Sequence, residues 1–238
     1  MNTDYVRDIF NAMLGKDINN THRNPKESLS VILKAMEMKS EYYRNLNLGS
    51  QEEFSQFLDT LFHTRRLKQN ILENSDFKEV NKAVQKAKEA KTYDEALNVV
   101  ADSLKGIERR DALDLAGEVV HFLRPAEFPL WNRWIWNPNK NSGSITYVLK
   151  DGVALKSRDD FLKAVNEVKE ILEVFGLNTG NYYPTSVFLV YAYVRYLDYS
   201  AHLAIDKKVA GLFPTHLSTT ALVLGLKPFL RVISHAHS

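Results

Sequence analysis

At 238 residues, with 45% apolar side chains, the chain is long enough for one large or two small domains and can bury a core of its own, which excludes disorder for most of it. It contains no cysteine, so a disulfide framework, a thiolate zinc site and a cysteine nucleophile are all excluded. Thirty-one basic residues against 29 acidic ones leave a formal charge of +2, too little to draw the whole chain onto nucleic acid or an anionic membrane, so any polyanion site has to be local.

The N-terminus, MNTDYVRDIFNAMLGKD, carries acids and lacks the apolar stretch of a secretory signal; it reads as an amphipathic first helix, with the cytoplasm as the default location. From Asn24, Leu29, Ile32, Leu33, Met36 and Tyr43 share one helical face, and the pattern stops at Asn47 to Gly49. Phe54, Phe57, Leu58, Leu61 and Phe62 form a second apolar stripe that reads as core. Between Phe77 and Lys91 a lysine- and alanine-rich helix keeps only a thin seam of Val80, Ala83, Val84 and Ala87, so its charges read as a solvated face.

Thr92 and Glu95 fit a capping box, in which a hydroxyl and a carboxylate satisfy backbone amides at a helix start. The helix they open runs through Leu97, Val100, Ala101 and Leu104 to Gly106. Ala112, Leu115, Ala116, Val119 and Leu123 renew the period up to Pro125, so Leu104 to Arg110 joins two antiparallel or crossed helices. NPNKNSG marks a surface loop. Ile145 to Leu149 and Val153 to Leu155, either side of Asp151-Gly152, predict a small β-hairpin with a type I′ turn.

Ser157 and Asp160 open a further helix with Phe161, Val165, Val168, Leu172 and Phe175 on one face, ended by Gly176; two heptads fit ordinary packing as well as a coiled-coil seam. Pro184 starts a tyrosine-rich helix to about Ile205, and the tail from Lys207 is broken by glycines and prolines. The apolar run Val187 to Val194 is far short of the roughly 20 residues of a bilayer span and reads as a buried or partner-facing helix, with no membrane expected. The expected fold is mostly α: a multi-helix globular fold with a helix-hairpin-helix-like element and one small β-hairpin. It is read as a single helical unit over 1–238, with a bilobal division into 1–91 and 92–238 as the alternative.

The most specialised stretch is Leu104 to Asn137, which holds all three tryptophans within six residues, Trp131 to Trp136. In its first part, Gly106 permits a tight turn, Leu104 and Ile107 plug two helices together, and backbone amides at the second helix start can face a phosphate. Lys105, Arg109 and Arg110 would add attraction for a phosphate backbone. An ordinary helix-helix turn with surface arginines explains the same residues.

Together with the next helix and FPLWNRWIW, this segment resembles the helix-hairpin-helix DNA glycosylase superfamily. That family has a hairpin of the form L-P-G-[IV]-G-x-[KQ]-[TV]-A, a helix, and then F-P-[VI]-D, which brings a catalytic aspartate to the start of the following helix. Leu104, Gly106, Ile107 and Ala112 match the hairpin, Ala116 its small-residue packing, and Phe128 and Pro129 the approach to the aspartate. The resemblance covers about a seventh of the chain.

Three positions depart from the family pattern. Glu108 stands in place of the second hairpin glycine. Arg110 stands where some members carry a Schiff-base lysine, and a guanidinium stays protonated. Asn132 matches the catalytic aspartate only with one inserted residue, and an amide neither takes a proton nor stabilises a cation by charge. The resemblance therefore implies a degenerate scaffold that binds DNA or RNA without catalysis, with Lys105, Gly106, Ile107, Arg109, Arg110, Trp131 and Arg133 as contacts. A retained glycosylase activity would need Glu118 or Glu127 in place of the missing aspartate.

The tryptophans suit base stacking, worth about 1–3 kcal/mol per base, or a hydrophobic plug; Trp131 and Trp134 at helical spacing share a face with Ile135, which favours core. Among His22, His63, His121, His202, His216, His235 and His237 no pair has the i, i+4 spacing of a helical metal site. Glu118 and His121 form an E-x-x-H pair without the second such pair a di-metal bundle needs, so no metal and no other cofactor is expected. Phosphate-loop and nucleophile-elbow motifs are absent. Tyr182, Tyr183, Tyr191, Tyr193, Tyr196 and Tyr199, near Arg195, suit half-buried packing or a protein partner. The second functional reading is accordingly a helical interaction subunit of a larger nucleic-acid-processing or defence complex, docking through these aromatic C-terminal helices.

Overall fold

A computed structural model describes residues 1–15, 25–196 and 215–236. Among them twelve α-helices and one 3-10 turn occur, with no strand and a single isolated bridge between Asn137 and Ser142. The chain falls into two compact units, one of residues 36–132 and the other of residues 1–35 with 133–238. The 91/92 boundary anticipated from sequence lies inside the first of these, between two helices that pack on each other. Asn24, His22 and the anticipated helix beyond Tyr196, with Tyr199 and His202, lie outside the described residues, as does His237.

The 36–132 unit contains the C-terminal part of α2 (Pro25–Arg44), then α3 (Gln51–Asp59), a 3-10 turn (Phe62–Thr64), α4 (Lys68–Asn74), α5 (Phe77–Glu89), α6 (Tyr93–Ser103) and α7 (Arg109–Leu123). Phe54, Phe57, Leu58 and Leu61 are buried as the stripe predicts, while Phe62, its last member, is half-buried in the 3-10 turn; the seam Val80, Ala83, Val84 and Ala87 of α5 is buried too. The main packing joins α5 to α6 and α6 to α7, so the two helices flanking Leu104–Glu108 lie against each other as a helical hairpin. Helix α7 is buried along nearly its whole length from Asp114 to Leu123, as a helix in the middle of a small bundle must be.

The other unit holds α1 (Thr3–Met13), the start of α2, α8 (Ser144–Tyr147), α9 (Arg158–Val174), α10 (Tyr183–Tyr196), α11 (Thr215–Val223) and α12 (Lys227–His235). Helix α10 is apolar on all sides and buried from Tyr183 to Ala192, which agrees with a core helix of a globular unit. No single helix among the described residues is long and apolar enough to cross a membrane.

One device opens α3, α6 and α9. Ser50, Thr92 and Ser157 each accept the amide three residues on, at 3.1 Å. Glu53, Glu95 and Asp160 then reach back to the amide just before the cap, those of Gly49, Lys91 and Lys156, at 2.6, 2.8 and 2.9 Å. Two amides that the helix cannot satisfy are thus satisfied by side chains.

The predicted β-hairpin does not form. Residues 144–147 make a helical turn, because Ser144 and Ile145 donate their amides to the carbonyls of Trp134 and Ile135, at 2.9 and 3.1 Å, leaving no edge to pair. Gly152 has φ +78°, but Asp151 does not share a positive φ, so the turn closed by Val153 N–H to the Lys150 carbonyl (3.1 Å) is not the type I′ turn that would bring the arms together. The helical spacing read across Trp131 to Ile135 is not realised either: residues 128–136 are irregular, and the next helix begins only at Ser144.

Candidate functional site in the 36–132 unit

The turn between α6 and α7 is built on Gly106, whose φ of +79° suits only glycine without strain. A Cβ there would lie 2.5 Å from the Asn70 carbonyl and 2.7 Å from the Asn74 side-chain amide, so the C-terminal end of α4 packs directly on the turn. Ser75 fastens it further, accepting the Lys105 amide at 2.8 Å. Lys105 itself is exposed, Ile107 half-buried.

Glu108 caps α7 with its backbone carbonyl, which accepts the amides of Asp111 and Ala112, both at 3.0 Å. Its carboxylate pairs instead with Arg110 at 2.5 Å. Arg109 pairs with Asp102 at 2.6 Å and donates to the Asn98 side chain at 2.5 Å. Both arginines are about half exposed, and surface pairs of this kind contribute about 0–1 kcal/mol each, so a stronger anion can displace the carboxylates.

Beside the turn lies a groove of about 420 Å³ between α5 and α6, whose lining includes Asp76, Glu79, Lys82, Lys86, Asp102 and Lys105. Its three carboxylates are each engaged: Asp76 accepts the Lys78 amide at the start of α5, Glu79 pairs with Lys82 at 2.7 Å, and Asp102 with Arg109. Among the described residues Lys86 and Lys105 have no carboxylate partner, and Asp76 is the one carboxylate of the groove held by an amide rather than a cation, so the two lysines leave a small positive excess next to the hairpin.

The rest of the sequence-predicted constellation is not on this surface. Trp131 is only 3% exposed. Its carbonyl lies against Gly117 of α7, where a Cβ would come within 2.0 Å of that oxygen. Asn132 is 4% exposed and sits in irregular chain. Arg133 belongs to the other unit, where Trp134 stacks on Tyr193 (centroids 5.1 Å, interplanar 3°) and Trp136 on Phe161 (5.5 Å, 9°), so two of the three tryptophans pack ring to ring. The remaining match to the family approach is fastened from behind: the Phe128 carbonyl meets His121 Nδ1 at 2.9 Å, and the Pro129 carbonyl accepts the Tyr93 hydroxyl at 2.9 Å.

The two acids considered as substitutes for a catalytic aspartate are committed elsewhere. Glu127 pairs with Arg124. Glu118 is buried, with Lys39 Nζ 2.6 Å from its Oε1 and the Phe62 amide 3.2 Å from its Oε2. Lys39 is fully buried as well, donates to the Thr60 carbonyl at 2.9 Å and lies 4.3 Å from the centroid of the Phe122 ring. Burial pushes the Lys39 ammonium down and the Glu118 carboxyl up, and each is pulled back by the other. Burial likewise pushes His121 down to about 4; because a carbonyl can only accept, Nδ1 carries the proton of its neutral ring. Sequence periodicity held the signal for the buried lysine: Lys39 continues the Ile32, Met36, Tyr43 face of α2. Among the described residues no three His, Asp or Glu side chains converge as a metal site would require.

No protein-family model matches the chain, no curated protein resembles it significantly, and no solved structure matches it significantly.

Proposed function

We propose that the protein is a non-catalytic nucleic-acid-binding protein, related in its α6–α7 hairpin to the helix-hairpin-helix glycosylases, that holds a phosphate backbone along the groove beside the hairpin turn. The observation that carries this reading is the pair of uncommitted lysines, Lys86 and Lys105, in a groove whose carboxylates are all engaged. Arg109 and Arg110, half exposed and weakly held, supply further charge on exchange of their partners. The reading is non-catalytic because Asn132 carries no acid and Glu118 and Glu127 are engaged in ion pairs. Base stacking by Trp131 is not part of it, since that ring is buried and does not offer a stacking face.

The test is a salt titration of binding to single-stranded and duplex DNA and RNA. Two to four phosphate contacts predict an affinity falling about 10- to 200-fold on duplex DNA from 50 to 200 mM salt. The double substitution Lys86→Ala/Lys105→Ala reduces the slope by about two, and Arg109→Ala/Arg110→Ala weakens binding further. Absence of binding to all four nucleic acids, or binding indifferent to salt and to these substitutions, overturns the reading.

A further inference from the structure

Helix α1 places Tyr5, Asp8 and Ile9 at i, i+3 and i+4, on one face. Ile9 turns into the core, while Tyr5 is 46% exposed. The same unit brings Tyr147, the last residue of α8, and Tyr196, the last of α10, to this face; both are large aromatics left open to solvent. The N-terminal end of α1 is tied to the end of α8 by the Asn2 amide, 2.7 Å from the Val148 carbonyl, which fixes the helices that carry the rings.

These five residues, Tyr5, Asp8, Ile9, Tyr147 and Tyr196, line an open cleft of about 450 Å³. Tyr147 and Tyr196 lean together, centroids 5.8 Å apart and planes at 30°, as a single wall. Asp8 has no hydrogen-bond or ion-pair partner among the described residues, whereas its neighbour Asp4 is taken by Arg7 at 2.9 Å. The Tyr196 ring already attracts one cation, since the Arg195 guanidinium stands 5.4 Å from its centroid, held by the Tyr191 hydroxyl at 3.0 Å; Arg195 itself does not line the cleft.

A ligand for this cleft has to suit exposed aromatic rings and one uncommitted carboxylate at the same time. Ring faces carry negative potential and attract cations, and a carboxylate adds charge complementarity. A phosphate-bearing nucleotide would satisfy the rings and be repelled by Asp8. A primary ammonium would surrender more of its hydration than a methylated one on entering the cleft.

We propose that the Tyr5–Asp8–Tyr147–Tyr196 cleft binds a quaternary alkylammonium group. Its source is either a free trimethylammonium compound or a trimethylated lysine side chain, which share the same cation. The site is independent of the hairpin groove, so failure of nucleic-acid binding leaves it standing, and the reverse holds too.

The test is isothermal titration of the full chain at fixed ionic strength with choline and with its neutral isostere 3,3-dimethyl-1-butanol, alongside a trimethyllysine peptide and the same peptide with unmodified lysine. Choline binding with no detectable binding of the isostere supports the proposal, as does preference for the trimethylated peptide; tighter binding of the peptide than of choline assigns the source to a protein, and the reverse to a small molecule. Asp8→Asn and Tyr147→Ala each weaken choline binding about 3- to 30-fold, with helical content and melting temperature unchanged at Asp8→Asn because its side chain is exposed. Equal binding of choline and the isostere, binding unaffected by Asp8→Asn, or no binding of either cation up to about 10 mM, where the affinity would be below about 3 kcal/mol, overturns it.

Discussion

Acidification should destabilise the protein through His121. The ring is fully buried in the 36–132 unit, donates Nδ1–H to the Phe128 carbonyl and is held neutral by desolvation, with the Lys39 charge adding to the effect. Its pKa is about 4 in the folded chain against 6.5 when exposed, so between those values the unfolded chain binds a proton that the folded one refuses. A depressed pKa of this sign contributes stability that is complete above 6.5 and is lost as pH falls through about 4. The gap, at about 1.4 kcal/mol per pH unit, amounts to about 3 kcal/mol.

Glu118 acts in the opposite sense, since burial raises its pKa and its protonated form suits the folded state above the ordinary carboxylate range. A difference measurement therefore isolates His121. His121→Gln keeps a donor toward the Phe128 carbonyl but does not titrate. Urea unfolding followed by circular dichroism from about pH 7.5 to about pH 4 should show the parent chain losing about 3 kcal/mol more than the variant. Parallel losses in the two proteins would refute the assignment of the acid sensitivity to this ring.

The buried ion pair makes a second prediction. Glu118→Gln leaves the Lys39 charge buried without its counter-charge and should cost about 3–5 kcal/mol, whereas Lys39→Met/Glu118→Leu should recover most of that in the same urea assay, short of the loss from the unpaired Phe62 amide and Thr60 carbonyl. Gly117→Ala sets a methyl 2.0 Å from the Trp131 carbonyl; despite the better helix propensity of alanine, a net loss of about 2 kcal/mol is expected, read as a fall of about 4–8 °C in Tm. Thr92→Ala removes the acceptor of the Glu95 amide at the start of α6 and should lower stability by about 1 kcal/mol, with Thr92→Ser near neutral.

Much of the helical layout was legible because its signals are local. Thr92 with Glu95 and Ser157 with Asp160 mark helix starts that the structure contains, and the seams of α5 and α9 are buried where period 3.6 puts them, except Phe175, which caps α9 and is half-buried. Residues 145–148 misled because their β-branched and aromatic composition favours a strand in isolation, while the carbonyls of Trp134 and Ile135 capture the amides a strand would have offered. Helix α4 was missed because among KQNILEN only Ile71 is buried, too little to make a period. The hairpin turn was legible from Leu104, Gly106 and Ile107, but not the packing of α4 on Gly106, which is a contact between residues more than 30 apart. Trp131 is named as a contact only through the family resemblance, whereas its apolar neighbourhood favours core, which is where it lies; a sequence does not show that its carbonyl packs on α7. The cleft of Tyr5, Tyr147 and Tyr196 joins three residues spread over almost the whole chain, of which only Tyr196 belongs to the tyrosine-rich segment that stands out in the sequence.

The stretch from Phe128 to Trp131 is held chiefly through its main chain: one carbonyl on an imidazole, the next on a phenol, and a third pressed against a glycine of α7. A path fixed this way keeps its direction while His121, Tyr93 and Gly117 remain, and Phe128, Leu130 and Trp131, all buried, hang from it into the interior. It behaves as a rail from which core side chains are suspended: an exchange at Leu130 leaves the backbone direction set and is felt as a change of packing.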